Sequence, residues 1–142
     1  MAAELTDAAV QREPCGPDLQ CSGLAVVLEN PSDLHNTERI LRTCRAFGVQ
    51  EVCCVLERRK PADPRTARLM DLSSIPGLLG HVRTFGSTSE CMQYLTGQDY
   101  HSAATTLDSP SVNLYESEAV GLNRVAFWFG QERHGLTDEA VA

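Results

Sequence analysis

A chain of 142 residues is about one domain, long enough to bury a sizeable core. Its 42% apolar and 22% charged content excludes a disordered polypeptide, and no apolar run approaches the length of a membrane-spanning helix. The formal charge of −7 argues against a generic nucleic-acid binder, yet eight of the twelve Lys and Arg residues crowd into positions 39–68. That block, Arg39, Arg42, Arg45, Arg58, Arg59, Lys60, Arg65 and Arg68, reads either as a phosphate-contacting surface or as a solvated charged loop. The first residues are acidic and lack the basic-then-apolar order of a secretory or transit signal. Six cysteines without a C-x-x-C pair read as buried apolar residues of a reducing, cytoplasmic environment. The four histidines show no metal-ligand spacing, so no metal is expected.

In chain order, residues 1–22 have no periodicity and contain Pro14, Gly16 and Pro17, which suits a mobile tail or a weak helix. The domain proper is taken as 23–142. Leu24 to Leu28 is apolar without alternation, the pattern of a strand covered on both faces in a parallel sheet. A polar loop, N-P-S-D-L-H-N at 30–36, leads into a helix with Asn36 as its expected N-cap and Gly48 just past its end. Helical spacing puts Ile40, Leu41, Cys44 and Phe47 on one face and Glu38, Arg42 and Arg45 on the other. A solvated arginine face is one reading of Arg42, and a functional arginine the other.

A second buried strand is expected over Val49 to Leu56, then a charged loop with a short helix from Pro64 to about Asp71. SSIPGLLG at 73–80 breaks regularity, His81 to Phe85 forms a short strand, and Ser87 and Glu90 make a capping box for a helix closed by Gly97. A fourth strand is predicted over His101 to Leu107 and a fifth over Val125 to Phe129, with Trp128 and Phe129 in the core. Thr137 is a plausible N-cap for a last helix. Alternating strands and helices imply an open parallel α/β sheet with helices on both faces, whose ligands bind at the carboxyl ends of strands. Loops 30–36, 105–110 and 130–135 lie there.

Neither a G-x-G-x-x-G turn nor a G-x-x-x-x-G-K-[ST] loop occurs, which removes support for NAD and ATP. There is no G-x-S-x-G elbow, and Cys54 lies mid-strand without a nearby histidine, a poor nucleophile. Two polar signatures remain: N-P-S-D-L-H-N followed by Arg42 and A-F-G-V at 46–49, and F-G-Q-E-R-H-G-L at 129–136. In order, spacing and context they resemble the first and second motifs of the SpoU/TrmH family, ribose 2′-O-methyltransferases of the knotted SPOUT superfamily. Ala104-Thr105 after the fourth strand adds a likeness to the tRNA guanosine 2′-O-methyltransferases.

The resemblance implies methyl transfer from S-adenosylmethionine to a ribose 2′-hydroxyl of RNA, tRNA before rRNA. It places Asn36, Arg42 and Glu132 in the catalytic site, and Thr105, Gly130, Gln131, Glu132, Arg133 and His134 around the cofactor. Arg39, Arg42, Arg45, Arg58, Arg59 and Lys60 would face RNA. It also implies a homodimer of the full-length protein, in which the counterpart of Arg42 reaches the active site. Glu132 would fix the shape of its loop, or simply cap the next helix or pair with Arg133; His35 and His134 are either site groups or loop polar groups. The family's third motif is expected about 20 residues beyond Ala142, so the chain reads as a methyltransferase domain with an incomplete knot. The alternatives are a non-catalytic RNA-binding fragment or isoform, and an α/β scaffold whose acidic surface binds protein.

Overall fold

The computed structural model describes residues 21–57, 82–108 and 111–142, together with Pro64, which is helical. The rest of the expected 64–71 helix, the 73–80 break, His81 and five of the eight basic residues at 39–68 lie outside the described residues.

Five strands, β1 (Cys21–Glu29), β2 (Val49–Val55), β3 (Val82–Phe85), β4 (His101–Ala104) and β5 (Val125–Phe129), form one sheet in the order β3-β2-β1-β5-β4. Every pairing is parallel. Helix α1 (Leu34–Ala46) joins β1 to β2, α2 (Thr88–Gly97) joins β3 to β4, and α3 (Asp138–Val141) follows β5. The segment before β5 holds two 3-10 turns, Leu114–Glu116 and Glu118–Gly121. The expected parallel α/β sheet is therefore present. From β1 the chain builds outward through β2 to β3, then returns to add β4 and β5 on the other side. The switch point thus lies between β1 and β5, where open sheets of this kind form ligand crevices.

The unbroken apolar run of β1 has the predicted cause. Val26 and Leu28 pack with Val52, Cys54, Leu41 and Cys44 under α1, while Ala25 and Val27 join Val55, Trp128, Cys91, Leu95 and Ala140 under α2 and α3. Trp128 is 0% exposed and donates its indole N–H to Ser102 Oγ at 3.0 Å, so the core's largest fully buried side chain has its polar atom paired. Its neighbour Phe129, expected in the core, is 40% exposed, because alternation turns it to the opposite face, beyond the reach of α1. Cys44, Cys53, Cys54 and Cys91 are buried in the core, as the spacing suggested. Burial pushes the Cys44 thiol up to about 11, against a smaller opposing pull from its backbone hydrogen bond. Cys91 is raised by its hydrogen bond with Cys53 and by burial. No described helix is long and apolar enough to cross a membrane.

Several boundaries differ from the sequence reading for local reasons. The N-cap of α1 is Asp33, not Asn36: its carboxylate accepts from the backbone N–H of His35 at 2.8 Å and Asn36 at 3.1 Å. An ionised cap at the positive end of the helix outcompetes an amide three residues later. Phe47 is the C-cap and is 62% exposed rather than buried, since the helix ends before its turn reaches the sheet, and Gly48 takes the left-handed φ of 67° that closes it. At the end of α2 the left-handed residue is Asp99 (φ 60°), with Gly97 still helical. The capping box forms with a displaced return arm: Ser87 Oγ accepts from Glu90 N, and Glu90 Oε2 accepts from Gly86 N. β1 begins at Cys21, before the expected boundary, and its register shifts before Ala25, where Gly23 passes so close to Asn123 that no Cβ would fit.

Candidate active site

At the carboxyl end of β1, Asn30 turns the chain with φ 51° and donates its backbone N–H to Val55 O. Residues 31–33 then lead into α1. At the carboxyl end of β5, residues 130–136 fold back as a small loop, in which Gln131 and Gly135 exchange backbone hydrogen bonds of 3.0 and 2.8 Å. Gly135 has φ 68°. Gly130 is required for a different reason: a Cβ there would enter the space of the Gly135 carbonyl and the Leu136 nitrogen.

Glu132 joins the two loops. Its Oε2 accepts from Ser32 Oγ at 2.5 Å and Ser32 N at 3.2 Å, and its Oε1 accepts from Asp33 N at 3.3 Å. Its hydrogen-bond partners thus lie on the first loop. Partial burial raises the carboxyl's affinity for a proton, but the hydrogen bonds from the Ser32 hydroxyl, its own loop and the Ser32 and Asp33 backbones together hold it below the ordinary carboxylate range. A depressed folded value means that its contribution is fully present above the unfolded pKa and is lost as pH falls through the folded one. The stability difference between wild type and Glu132→Gln should therefore be constant above about pH 5 and close below about pH 4. Urea titrations followed by the fluorescence of buried Trp128 measure it, and a difference unchanged down to pH 3 would remove this role.

The clasp borders a cleft of about 710 Å³ whose lining includes Asn36, His35, Gln131, Glu132, Arg133 and His134. Gln131 Oε1 is buried there without a hydrogen-bond partner, an acceptor suited to a ligand hydroxyl or amine. Beside it, at the ends of β4 and β5, a cleft of about 540 Å³ is lined by Ala103, Ala104, Thr105, Leu114, Phe127 and Phe129 among others. Thr105 donates both its hydroxyl and its backbone N–H to Trp128 O, at 2.7 and 3.1 Å, so it shapes the slot's floor. A mostly apolar slot edged by the hydroxyls of Thr105, Thr106, Ser111 and Ser117 fits an adenosyl group, flat and apolar with a few polar edges.

The fold brings Asn36, Gln131, Glu132, Arg133 and His134 together, with Thr105 in the adjoining slot. It does not bring Arg42 to the cleft. Six residues beyond Asn36, or roughly 9 Å along the axis, Arg42 has a 66% exposed side chain that pairs with Glu38. Arg39 and Arg45 are also exposed on α1; Arg58, Arg59 and Lys60 lie outside the described residues. The sequence reading missed Ser32 and Asp33 as partners of Glu132. A polar P-S-D stretch after a buried strand was the available signal, but nothing in it pointed 100 residues ahead.

A parallel sheet with two polar loops clasped at its switch point, and no glycine-rich phosphate turn, is the open α/β architecture that the family resemblance led one to expect. The chain belongs to the SpoU rRNA methylase family, whose model matches residues 23–142. It is 29% identical over 119 residues to the tRNA (guanosine(18)-2′-O)-methyltransferase of Escherichia coli K12, covering 84% of this chain and 49% of that protein. The chain thus spans about half the length of the curated relatives it matches. Its fold is similar to that of the A. aeolicus TrmH/SpoU tRNA modifying enzyme, with TM-score 0.65, 21% identity, and coverage of 87% of this chain and 59% of that one. It is also similar to the SpoU methyltransferase AviRb from Streptomyces viridochromogenes in complex with AdoMet: TM-score 0.61, 17% identity, 82% and 44% covered.

Proposed function

We propose that this chain carries the loops with which a cytoplasmic, S-adenosylmethionine-dependent enzyme methylates a ribose 2′-hydroxyl of RNA, a tRNA in the first instance. The observation that carries this reading is the Glu132 clasp at the switch point, built from the family's two motifs and flanked by the polar cleft and the apolar slot. S-adenosylmethionine, when bound, supplies an electrophilic methyl group. Thr105 and Gly130 to His134 are the residues that would hold it, with Gln131 offering its free acceptor. Asn36 stands at the mouth of the cleft, where its amide can orient a ribose. Arg42 cannot serve as a simple base, because a guanidinium donates hydrogen bonds and stays protonated. We assign it to the RNA phosphate or the developing alkoxide, by a bidentate contact delivered across a homodimer, because its place on α1 faces away from its own cleft.

Two measurements test this reading. Calorimetric titration of the chain with S-adenosylmethionine should show saturable binding. A labelled methyl group should then pass to tRNA and protect one internucleotide bond from alkali, since a methylated 2′-oxygen cannot attack the neighbouring phosphate. Salt-dependent RNA binding without cofactor binding would instead identify a non-catalytic module working through the exposed arginines of α1.

A further inference from the structure

One charged side chain at the switch point is unused by the proposed chemistry. Glu29, the last residue of β1, is 1% exposed. Its Oε2 accepts from Thr137 N at 2.7 Å, and its Oε1 accepts from Thr137 Oγ1 at 2.7 Å and Thr88 Oγ1 at 2.5 Å. Thr137 follows immediately on the 130–136 loop and caps α3, its hydroxyl also accepting from Ala140 N at 3.3 Å. Thr88 opens α2 and is itself fully buried.

A buried carboxylate is a poor way to gain stability, because removing it from water offsets much of what its hydrogen bonds return. Its directional value is greater. Segments 29–33 and 132–137 exchange carboxylates: Glu132 reaches from the loop to Ser32 and Asp33, and Glu29 reaches from the strand to Thr137. The loop leaves β5 through a strand in register with β1, is held in its middle by Glu132, and is held at its far end by Glu29. Without the last of these, the end of the loop has no polar tie to the sheet among the contacts at Thr137.

We propose that Glu29 is a positioning residue that locks the 130–137 loop in its cofactor-binding shape through Thr137, an inference that rests on the function proposed above. Glu29→Gln preserves size but turns one acceptor into a donor, so either the backbone N–H or the hydroxyl of Thr137 loses its acceptor on residue 29, whereas the Thr88 hydroxyl also reaches Glu57 Oε2 at 3.4 Å. Thr137→Val removes one arm of the tie, and Thr88→Val removes the branch to α2 together with the longer Thr88 contact to Glu57, leaving both bonds to Thr137 in place.

Hydrogen exchange and S-adenosylmethionine titration of the whole chain test the proposal together. In Glu29→Gln the amides of 131–137 should exchange about tenfold faster, with strand amides unchanged, and cofactor affinity should fall about tenfold. Thr137→Val should move both quantities in the same direction by less, and Thr88→Val should leave both within about twofold of wild type. Unchanged loop exchange in Glu29→Gln, or acceleration spread equally over all strands, overturns the proposal. Should Glu29→Gln not fold, Thr137→Val decides by the same exchange readout. If wild type binds no S-adenosylmethionine, the functional reading fails on its own. A selective change in loop exchange then still upholds the positioning role of Glu29, and its absence still overturns it.

Discussion

Replacing Arg42 by lysine should lower kcat for methyl transfer by about a hundredfold or more while leaving S-adenosylmethionine affinity within about twofold. The expectation rests on where α1 places this side chain. It is exposed, outside the cleft lined by its own loop, and among the described residues its ion pair is with Glu38 one turn away. Exposed i,i+4 ion pairs contribute roughly 0.3–0.5 kcal/mol, and lysine retains most of that, so the fold should be indifferent to the change. What lysine loses is the planar fork that grips a phosphate or alkoxide with two parallel donors. The effect should therefore fall on turnover and on RNA, not on stability or cofactor. Mixing Arg42→Lys chains with Glu132→Gln chains tests delivery across a dimer, because one of the two sites in a mixed dimer would then be intact. Unchanged turnover in the single variant would sink the role altogether, and the absence of rescue on mixing would place Arg42 in its own chain's site.

Why some of this was legible in the sequence and some not follows from the range of the interactions involved. The strand cores were, because a continuous apolar run such as Leu24 to Leu28 has one economical explanation, burial on both faces. Thr137 and Ser87 were too, since a cap acts within three residues of itself. Asn36 was misplaced as a cap because Asp33 offers the same chemistry three positions earlier, and spacing alone does not rank an amide against a carboxylate. Phe129 was misassigned because an apolar run does not say which face of a strand lacks a covering helix, even for one paired on both sides like β5. The two motifs could be recognised separately. The hydrogen bonds that join them, Glu132 to Ser32 and Glu29 to Thr137, span about a hundred residues and depend on β1 and β5 being neighbours, a fact of topology. Glu29 carried a hint in retrospect, as a charge at the end of an otherwise apolar strand.

That topology makes Gly130→Ala the most damaging single-methyl change available in the loop. The added carbon would meet the Gly135 carbonyl and the Leu136 nitrogen, all backbone atoms with no side-chain end that could swing aside. The loop must open, which sacrifices the two hydrogen bonds between Gln131 and Gly135 and draws Glu132 away from Ser32. At about 1 kcal/mol for each lost hydrogen bond, the expected destabilisation is roughly 2–3 kcal/mol. Cofactor affinity should fall more than about tenfold, because Gln131 and His134 leave the cleft with the loop. Gly135→Ala meets no atoms and suffers only the left-handed backbone, a penalty of about 1–2 kcal/mol. Gly97→Ala, helical and in open space, should be neutral or stabilising by about 0.5–1 kcal/mol. The three glycines therefore rank Gly130, Gly135, Gly97 in urea midpoint loss, while only the first two alter S-adenosylmethionine binding. Were Gly130→Ala to behave like Gly97→Ala in both measurements, the folded-back loop would not be the form that binds the cofactor.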